Sequence, residues 1–174
     1  VIIVKDKKKL DRTETVRELN QWLSHNFGRE SFLGIAWAYN NIKHCILIES
    51  FIEENGKAPV DYKFYCFAGR VEVLSLHYDR FEGHKFRSYD RNFDPHELEY
   101  DLPQWKGELK RPPNFREMVR LAELMAGGFD FMRVDIYSVE EKIYFGELTP
   151  YPGGTNTRFL PVRQDYLLGE KWKS

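Results

Sequence analysis

Cysteine is almost absent from this chain, with Cys45 and Cys66 the only two among 174 residues. They lack the spacing of a cysteine-based metal site, and both stand in apolar runs. We therefore expect buried free thiols in a reducing compartment rather than a disulfide. The chain also lacks a signal peptide and an apolar run of membrane-spanning length. These absences predict a cytoplasmic protein with no membrane span.

An excess of charge of one sign is also missing, because 26 basic and 27 acidic residues give a formal net charge of −1. No overall basic field therefore draws the chain to nucleic acid. The five histidines are scattered without metal-ligand spacing, and no Ser-His or Cys-His arrangement for nucleophilic catalysis is recognisable. We therefore interpret the histidines as structural or surface groups. Aromatic residues, at 16%, favour a packed, β-rich core.

Hydrophobic periodicity predicts an α+β fold. The first helix follows Asp11, a capping residue with Glu14 three positions later, and the second is bounded by Asn114 and Gly127. The tail from Asn156 onward carries no periodic pattern. The predicted helices span residues 12–27 and 115–126, and the predicted strands span residues 1–5, 45–52, 61–68, 71–78, 85–89, 131–137 and 143–149.

The last two predicted strands form the most informative feature. Side chains alternate along a strand, so Arg133 and Asp135 share one face, and Phe145, Glu147 and Thr149 share one face of the partner strand. A three-residue turn over 140–142 would place Asp135 opposite Glu147 and Arg133 opposite Thr149. Facing carboxylates repel unless a cation separates them, and Mg²⁺ prefers such hard oxygen ligands. The alternative is a surface hairpin whose acids are merely solvated. Flanking apolar residues favour a central hairpin instead.

Three further groups carry candidate chemistry. Glu49, in an apolar strand, could accept hydrogen bonds from a ligand, or could be a solvated acid at the strand end. Asp61 and Lys63 share a strand face suited to a polar ligand, or form a surface ion pair. Arg80, after a strand, has the forked guanidinium that binds phosphate or carboxylate, or is a plain surface arginine.

Taken in order, these motifs resemble the ATP-grasp superfamily, and within it the teichuronopeptide-biosynthesis (TupA-like) family found among bacterial polysaccharide genes. The resemblance extends from Val1 to about Gly169, and the order and spacing of the motifs carry it. The segments concerned are residues 48–52, 61–67, 131–137, 144–149 and 151–154.

The resemblance implies an ATP-grasp-like antiparallel sheet packed with helices, with residues 1–52 as the remainder of an N-terminal subdomain and 53–174 as the C-terminal one. It implies ATP and Mg²⁺ as cofactors. Glu49 with Ser50, Phe51 and Ile52 would contact adenine. The other implied roles are ribose binding by Asp61, contact with phosphate or acyl phosphate by Lys63, Arg133 and Arg80, and Mg²⁺ binding by Asp135, Glu147 and Thr149.

The implied activity is an ATP-dependent ligase that converts a carboxylate to an acyl phosphate for attack by an amine. The carboxylate would be a small molecule or linked to a glycan. Thr149 stands where most ATP-grasp enzymes carry Asn, and the family's usual lysine strand and Gly-rich phosphate loop would precede Val1. Without them we expect weak ATP binding. Two alternatives remain open: an ATP-dependent phosphotransferase on the same scaffold, and a non-catalytic, truncated binding module.

Overall fold

The computed structural model describes residues 1–25, 40–100, 102–107, 109–155 and 159–172. The chain divides into two compact units, Val1–Ile52 and Glu53–Ser174. This boundary lies where the sequence places the limit between two subdomains, but the subdomain assignment itself stays a prediction. None of the described helices is long and apolar enough to cross a membrane.

The described residues of the first unit include the α-helix α1 (Arg12–Ser24). Its predicted cap is confirmed, because Oδ1 of Asp11 accepts a hydrogen bond from the backbone N–H of Glu14 at 3.0 Å. Helix α1 ends at Ser24, and Phe27, where the prediction ended it, lies outside the described residues. A short 3-10 helix, Lys7–Lys9, precedes α1.

Two strand predictions in this unit are wrong. Residues 1–5 and 45–52 form no strand, and no strand occurs among the unit's described residues for either segment to pair with. Apolar composition alone had favoured strands, but a strand needs a hydrogen-bonding neighbour. Cys45 is exposed, which also contradicts the expectation that both thiols are buried, whereas Cys66 is buried.

The second unit is built on a five-stranded antiparallel sheet, and the α+β prediction is confirmed. Its strands are β1 (Asp61–Phe67), β2 (Arg70–Tyr78), β3 (Lys85–Tyr89), β4 (Phe131–Val139) and β5 (Lys142–Thr149). They stand in the order β3-β2-β1-β4-β5, so that the predicted central hairpin has one central strand, β4, and one edge strand, β5. The described residues of this unit also form α2 (Phe115–Ala126), a 3-10 helix (Pro152–Thr155) and α3 (Val162–Gly169).

One face of the sheet packs against α2 and forms the main core. Phe64 and Phe115, one from β1 and one from α2, stack with their ring centroids 6.4 Å apart. Asn114 is the N-cap residue of α2, as predicted, but its side chain makes no capping hydrogen bond to the helix. Its Nδ2 instead donates to Oγ of Ser138 and to the carbonyl of Glu141, each at 2.9 Å. The helix start is thereby tied to the β4-β5 turn.

The opposite face carries a second apolar cluster at one end, and this cluster includes α3. Leu168 of α3 packs with Tyr65 and Phe131 from the sheet and with Phe159. The tail beyond Asn156 is therefore partly helical, contrary to the prediction, because α3 contributes an apolar residue to this cluster. The rest of this face, which we call the polar face, is lined by polar side chains such as those of Lys63 and Asp135, which occupy paired positions on neighbouring strands.

Candidate functional site

The β4-β5 hairpin has the predicted register, although its turn differs from the prediction. Val139 pairs with Lys142, so the turn contains only Glu140 and Glu141, whose φ angles are +49° and +61°. A bulge at Gly146 then supplies the additional residue that the prediction had placed in the turn. Asp135 consequently lies opposite Glu147, as predicted.

The bulge also changes which side chains share a face. Phe145 pairs with Ile136, a residue of the main core, whereas Glu147 pairs with Asp135 on the polar face. The prediction that Phe145 shares a face with Glu147 is therefore wrong. A side chain at Gly146 would have its Cβ 3.0 Å from the carbonyl oxygen of Asp135 and 3.0 Å from Cε2 of Tyr137. Glycine is what lets the strand make this close approach.

Strand pairing brings charged residues from distant parts of the sequence into one continuous row. Lys63 of β1 pairs with Asp135 of β4, and Asp61 pairs with Tyr137. Nζ of Lys63 lies 2.7 Å from Oδ2 of Asp61 and 2.5 Å from Oδ2 of Asp135. Nη1 of Arg80 lies 2.9 Å from the same oxygen of Asp61. All three strand residues are at least 95% buried, so these ion pairs are shielded from solvent.

Arg133 continues the row toward β5. Its Nε donates to Oδ1 of Asp135 at 2.7 Å, and its Nη2 donates to Oδ2 of the same residue at 2.9 Å. Nη2 also lies 3.2 Å from Oε2 of Glu147 and 2.9 Å from Oγ1 of Thr149. Burial works to lower the pKa of this guanidinium, but the carboxylate of Asp135 outweighs burial and raises that pKa. Arg133 therefore remains a cation.

The three oxygens that surround Nη2 belong to the three predicted magnesium ligands. A cation already sits where these oxygens converge, which shows that their arrangement suits a positive charge. The distances are those of N–H···O hydrogen bonds, whereas Mg²⁺ requires oxygen ligands at about 2.1 Å. Glu147, with its side chain 53% exposed, has room to turn toward a metal. Among the described residues, no cluster of three or more His, Cys, Asp or Glu could hold one. The donor set fits Mg²⁺ only with the hydroxyl of Thr149 included.

Asp61 supplies a second sign of a ligand. Its Oδ2 is held by Lys63 and Arg80, but its Oδ1 is buried and has no hydrogen-bond partner. A buried acceptor without a donor costs about 1–3 kcal/mol. A ligand hydroxyl would supply that donor, which is the chemistry of a ribose.

The structure leaves one part of the predicted nucleotide site without a test. Glu49, Ser50, Phe51 and Ile52 lie in the first unit, outside any strand, and the first three are exposed. Their contact with adenine stays a prediction. Asp61, Lys63 and Arg80 lie together in the second unit, joined by Lys63 to Asp135.

Sequence reasoning missed polar residues on the β2 side of the same face. His77 of β2 pairs with Asp61, and Ser75 pairs with Lys63. Oγ of Ser75 lies 3.1 Å from Nε2 of His77, whose Nδ1 lies 2.8 Å from Nε2 of His84. The pattern Ser75-x-His77 has the period of a strand face and could have indicated this row. The loop that returns His84 to the sheet could not be foreseen from spacing.

Comparison with known proteins gives one match. The chain matches the family model described as TupA-like ATPgrasp over residues 1–173. No curated protein and no solved structure matches it. The family match covers the two-unit chain and includes every residue of the polar face described above.

Proposed function

This chain belongs to the TupA-like ATP-grasp family, whose membership supports an ATP-dependent, ligase-type function, and from that premise we propose a specific activity. The protein binds Mg·ATP on the polar face of the second unit. It activates a carboxylate, free or linked to a glycan, as an acyl phosphate that an amine then attacks. The proposed setting is the cytoplasmic assembly of a bacterial cell-surface polysaccharide or teichuronopeptide.

The convergence of three oxygens on Nη2 of Arg133 carries this proposal. Asp135, Glu147 and Thr149 would hold Mg²⁺, and the metal would neutralise phosphate charge and polarise the transferred group. Because Nη2 stands among those oxygens, Arg133 would have to turn aside for them to bind a metal. Its fork would then be available to a phosphate or acyl phosphate oxygen.

The alternating row of charges suits a ligand of high negative charge. The three cations Arg80, Lys63 and Arg133 share three carboxylates, so the formal charges of the row balance. The carboxylates are those of Asp61, Asp135 and Glu147. Lys63 donates a hydrogen bond to Asp135 and forms an ion pair with Asp61, and an ammonium group has three N–H donors in all, so it could also donate to a phosphate. Arg80, with its side chain 45% exposed, can reach a ligand from the rim.

Nucleotide binding is tested by isothermal titration calorimetry with Mg·ATP. We expect Asp135→Asn to weaken binding by at least tenfold, because it removes a metal ligand and a partner of both Lys63 and Arg133. Glu117→Gln, which changes an exposed acid on α2, is the matched control and should bind as the wild type does. Equal affinities in all three proteins would contradict the placement of the site.

Reaction type is tested by measuring products with a panel of sugar acids and amino acids. A ligase releases ADP and inorganic phosphate, and hydroxylamine traps its acyl phosphate as a hydroxamate. Release of ADP without phosphate, with the label of γ-³²P-ATP retained on the acceptor, would instead assign a phosphotransferase. Binding without carboxylate-dependent ADP release across the panel would favour a non-catalytic module.

A further inference from the structure

His84 lies at the rim of the charged row but has no role in the function proposed above. It is half-buried and lies in the loop after β2 that also carries Arg80. Its ring contacts His77 from β2, with Nε2 of His84 2.8 Å from Nδ1 of His77, and His77 pairs with Asp61 of the row. The charges of Arg80 from the same loop, and of Lys63 and Asp61 from β1, act on the ring of His84. His84 is therefore within electrostatic reach of the positive side chains that would meet a triphosphate.

The hydrogen bonds behind His84 fix its orientation. Oγ of Ser75 lies 3.1 Å from Nε2 of His77, and it can accept from Nε2–H of that ring. In this tautomer Nδ1 of a neutral His77 is an acceptor, and Nε2–H of His84 can donate to it at 2.8 Å. Nδ1 of His84 has no hydrogen-bond partner within the described part of the chain. The relay thus holds the ring with one nitrogen available to a ligand.

His77 keeps its role as an acceptor whether or not His84 is charged. Burial, reinforced by Lys63, lowers the pKa of His77 to about 2, so it stays neutral at physiological pH. Burial together with Arg80 and Lys63 also lowers the pKa of His84, while Asp61 works against them. His84 is consequently neutral in the free protein near pH 7. A polyanion beside Arg80 and Lys63 would offset those two charges and favour the imidazolium.

We propose that His84 is a further phosphate-binding residue, which takes up a proton when the triphosphate of Mg·ATP binds and donates a hydrogen bond from Nδ1–H to a phosphate oxygen. The proton comes from solvent and no covalent bond changes. Nε2–H continues to donate to His77, so the ring does not have to rotate. This inference rests on the proposed nucleotide site, and it adds to that site a group whose charge appears only with the ligand.

Proton uptake is measured by calorimetry of Mg·ATP binding in buffers of different ionisation enthalpy, at saturating Mg²⁺ and about pH 7. Burial, Arg80 and Lys63 lower the pKa of His84 in the protein without ligand, and a triphosphate would offset the charges of the two cations. We therefore expect a net uptake of protons on binding, which appears as a dependence of the observed enthalpy on the buffer. Magnesium tripolyphosphate should give the same uptake.

His84→Gln is the decisive variant, because the glutamine amide can still donate to His77 but cannot titrate. It should abolish the uptake and weaken Mg·ATP binding by roughly tenfold. His44→Gln, an exposed histidine of the first unit, is the matched control and should keep both. Imidazole ¹⁵N NMR of the wild type with magnesium tripolyphosphate provides a measurement that needs no variant, and His84 should become protonated at both nitrogens.

The outcomes separate the two proposals. Binding of Mg·ATP without proton uptake, or with uptake that persists in His84→Gln, overturns the role of His84 and leaves the nucleotide site standing. Uptake with Mg·ATP but none with tripolyphosphate also overturns it, since the proton would then not depend on phosphate. Failure of the wild type to bind Mg·ATP overturns both.

Discussion

Replacing Arg133 with methionine tests whether its guanidinium stands in for a metal. Methionine keeps much of the length and apolar contact of the arginine stem but removes the cation. Asp135, with its side chain only 2% exposed, then loses two charge-assisted hydrogen bonds, while Glu147 and Thr149 lose one each. Lys63 remains 2.5 Å from Asp135 and leaves that carboxylate partly compensated.

The expected cost follows from burial. Removing one partner of a buried ion pair destabilises a protein by about 3–5 kcal/mol. Because Lys63 remains and partly compensates Asp135, we expect a loss at or just below the lower end of this range, about 2–3 kcal/mol. For a protein of this size, that loss lowers Tm by roughly 4–12 °C. A divalent cation at one hundred times its Kd would return about 2.7 kcal/mol, which is similar to the loss.

Differential scanning calorimetry with and without Mg²⁺ or Mn²⁺ measures both effects. Arg133→Met should melt well below the wild type without metal and should gain more than the wild type when metal is added, since no guanidinium has to be displaced. Arg120→Met is the matched control, because Arg120 makes a similar pair with Glu117 at 2.7 Å, but both side chains are about half-exposed. The control should lose less than about 1 kcal/mol and gain nothing from metal. Equal metal stabilisation of Arg133→Met and the wild type would refute the reasoning.

Three further changes have defined outcomes. Asp61→Asn should weaken Mg·ATP binding by roughly tenfold, without weakening that of magnesium tripolyphosphate. The amide would turn its oxygen toward Lys63 and Arg80 and present an NH₂ group to the ribose hydroxyl in place of the acceptor Oδ1. Parallel losses of the two affinities by calorimetry would contradict this. The pKa of His77 is about 2 in the folded protein and about 6.5 in the unfolded chain, so between these values the unfolded chain binds a proton that the folded protein does not. The free energy of unfolding should therefore fall as the pH drops from about 6.5 toward 2, by up to about 1.4 kcal/mol per pH unit. In urea titrations at acid pH, His77→Gln should make this dependence on pH less steep. Glu140→Asn combined with Glu141→Gly should raise stability by about 1 kcal/mol, because both positions have positive φ, and an unchanged urea midpoint would count against it.

The hairpin shows how far local pattern can predict a site. Alternation of apolar and polar residues placed Asp135 opposite Glu147, because an error of one residue would have sent the acid to the core face. The turn was still assigned one residue too long, since Gly146 can absorb that residue as a bulge. The spacing of Asp135 and Glu147 indicates how many residues the turn and the bulge contain together. Whether the additional residue lies in the turn or in the bulge depends on backbone geometry.

The long-range contacts could not be predicted from local pattern. Lys63 and Asp135 are 72 positions apart, and they meet only because β1 pairs with β4. Sequence reasoning grouped Asp61 with Lys63 because they share a strand face, but it offered no register between β1 and β4. The opposite error occurs at residues 1–5 and 45–52. Their apolar composition predicted strands, but neither segment has a partner strand among the described residues, and neither forms a strand.

The placement of Lys63 bears on how the charged row works. Lys63 is 5% exposed and forms ion pairs with two buried carboxylates, so it cannot move without weakening both pairs. Arg80 can move further, because its side chain is nearly half-exposed. Arg133 is only 13% exposed, and it could turn away from Asp135 and Glu147 only if a metal took its place among their oxygens. We therefore expect Lys63 to set the spacing between the ribose-binding and metal-binding carboxylates, and the two arginines to adjust to the ligand. Lys63 would then keep the distance between the ribose and the metal constant, while the guanidinium groups of Arg80 and Arg133 could change position to contact the phosphates.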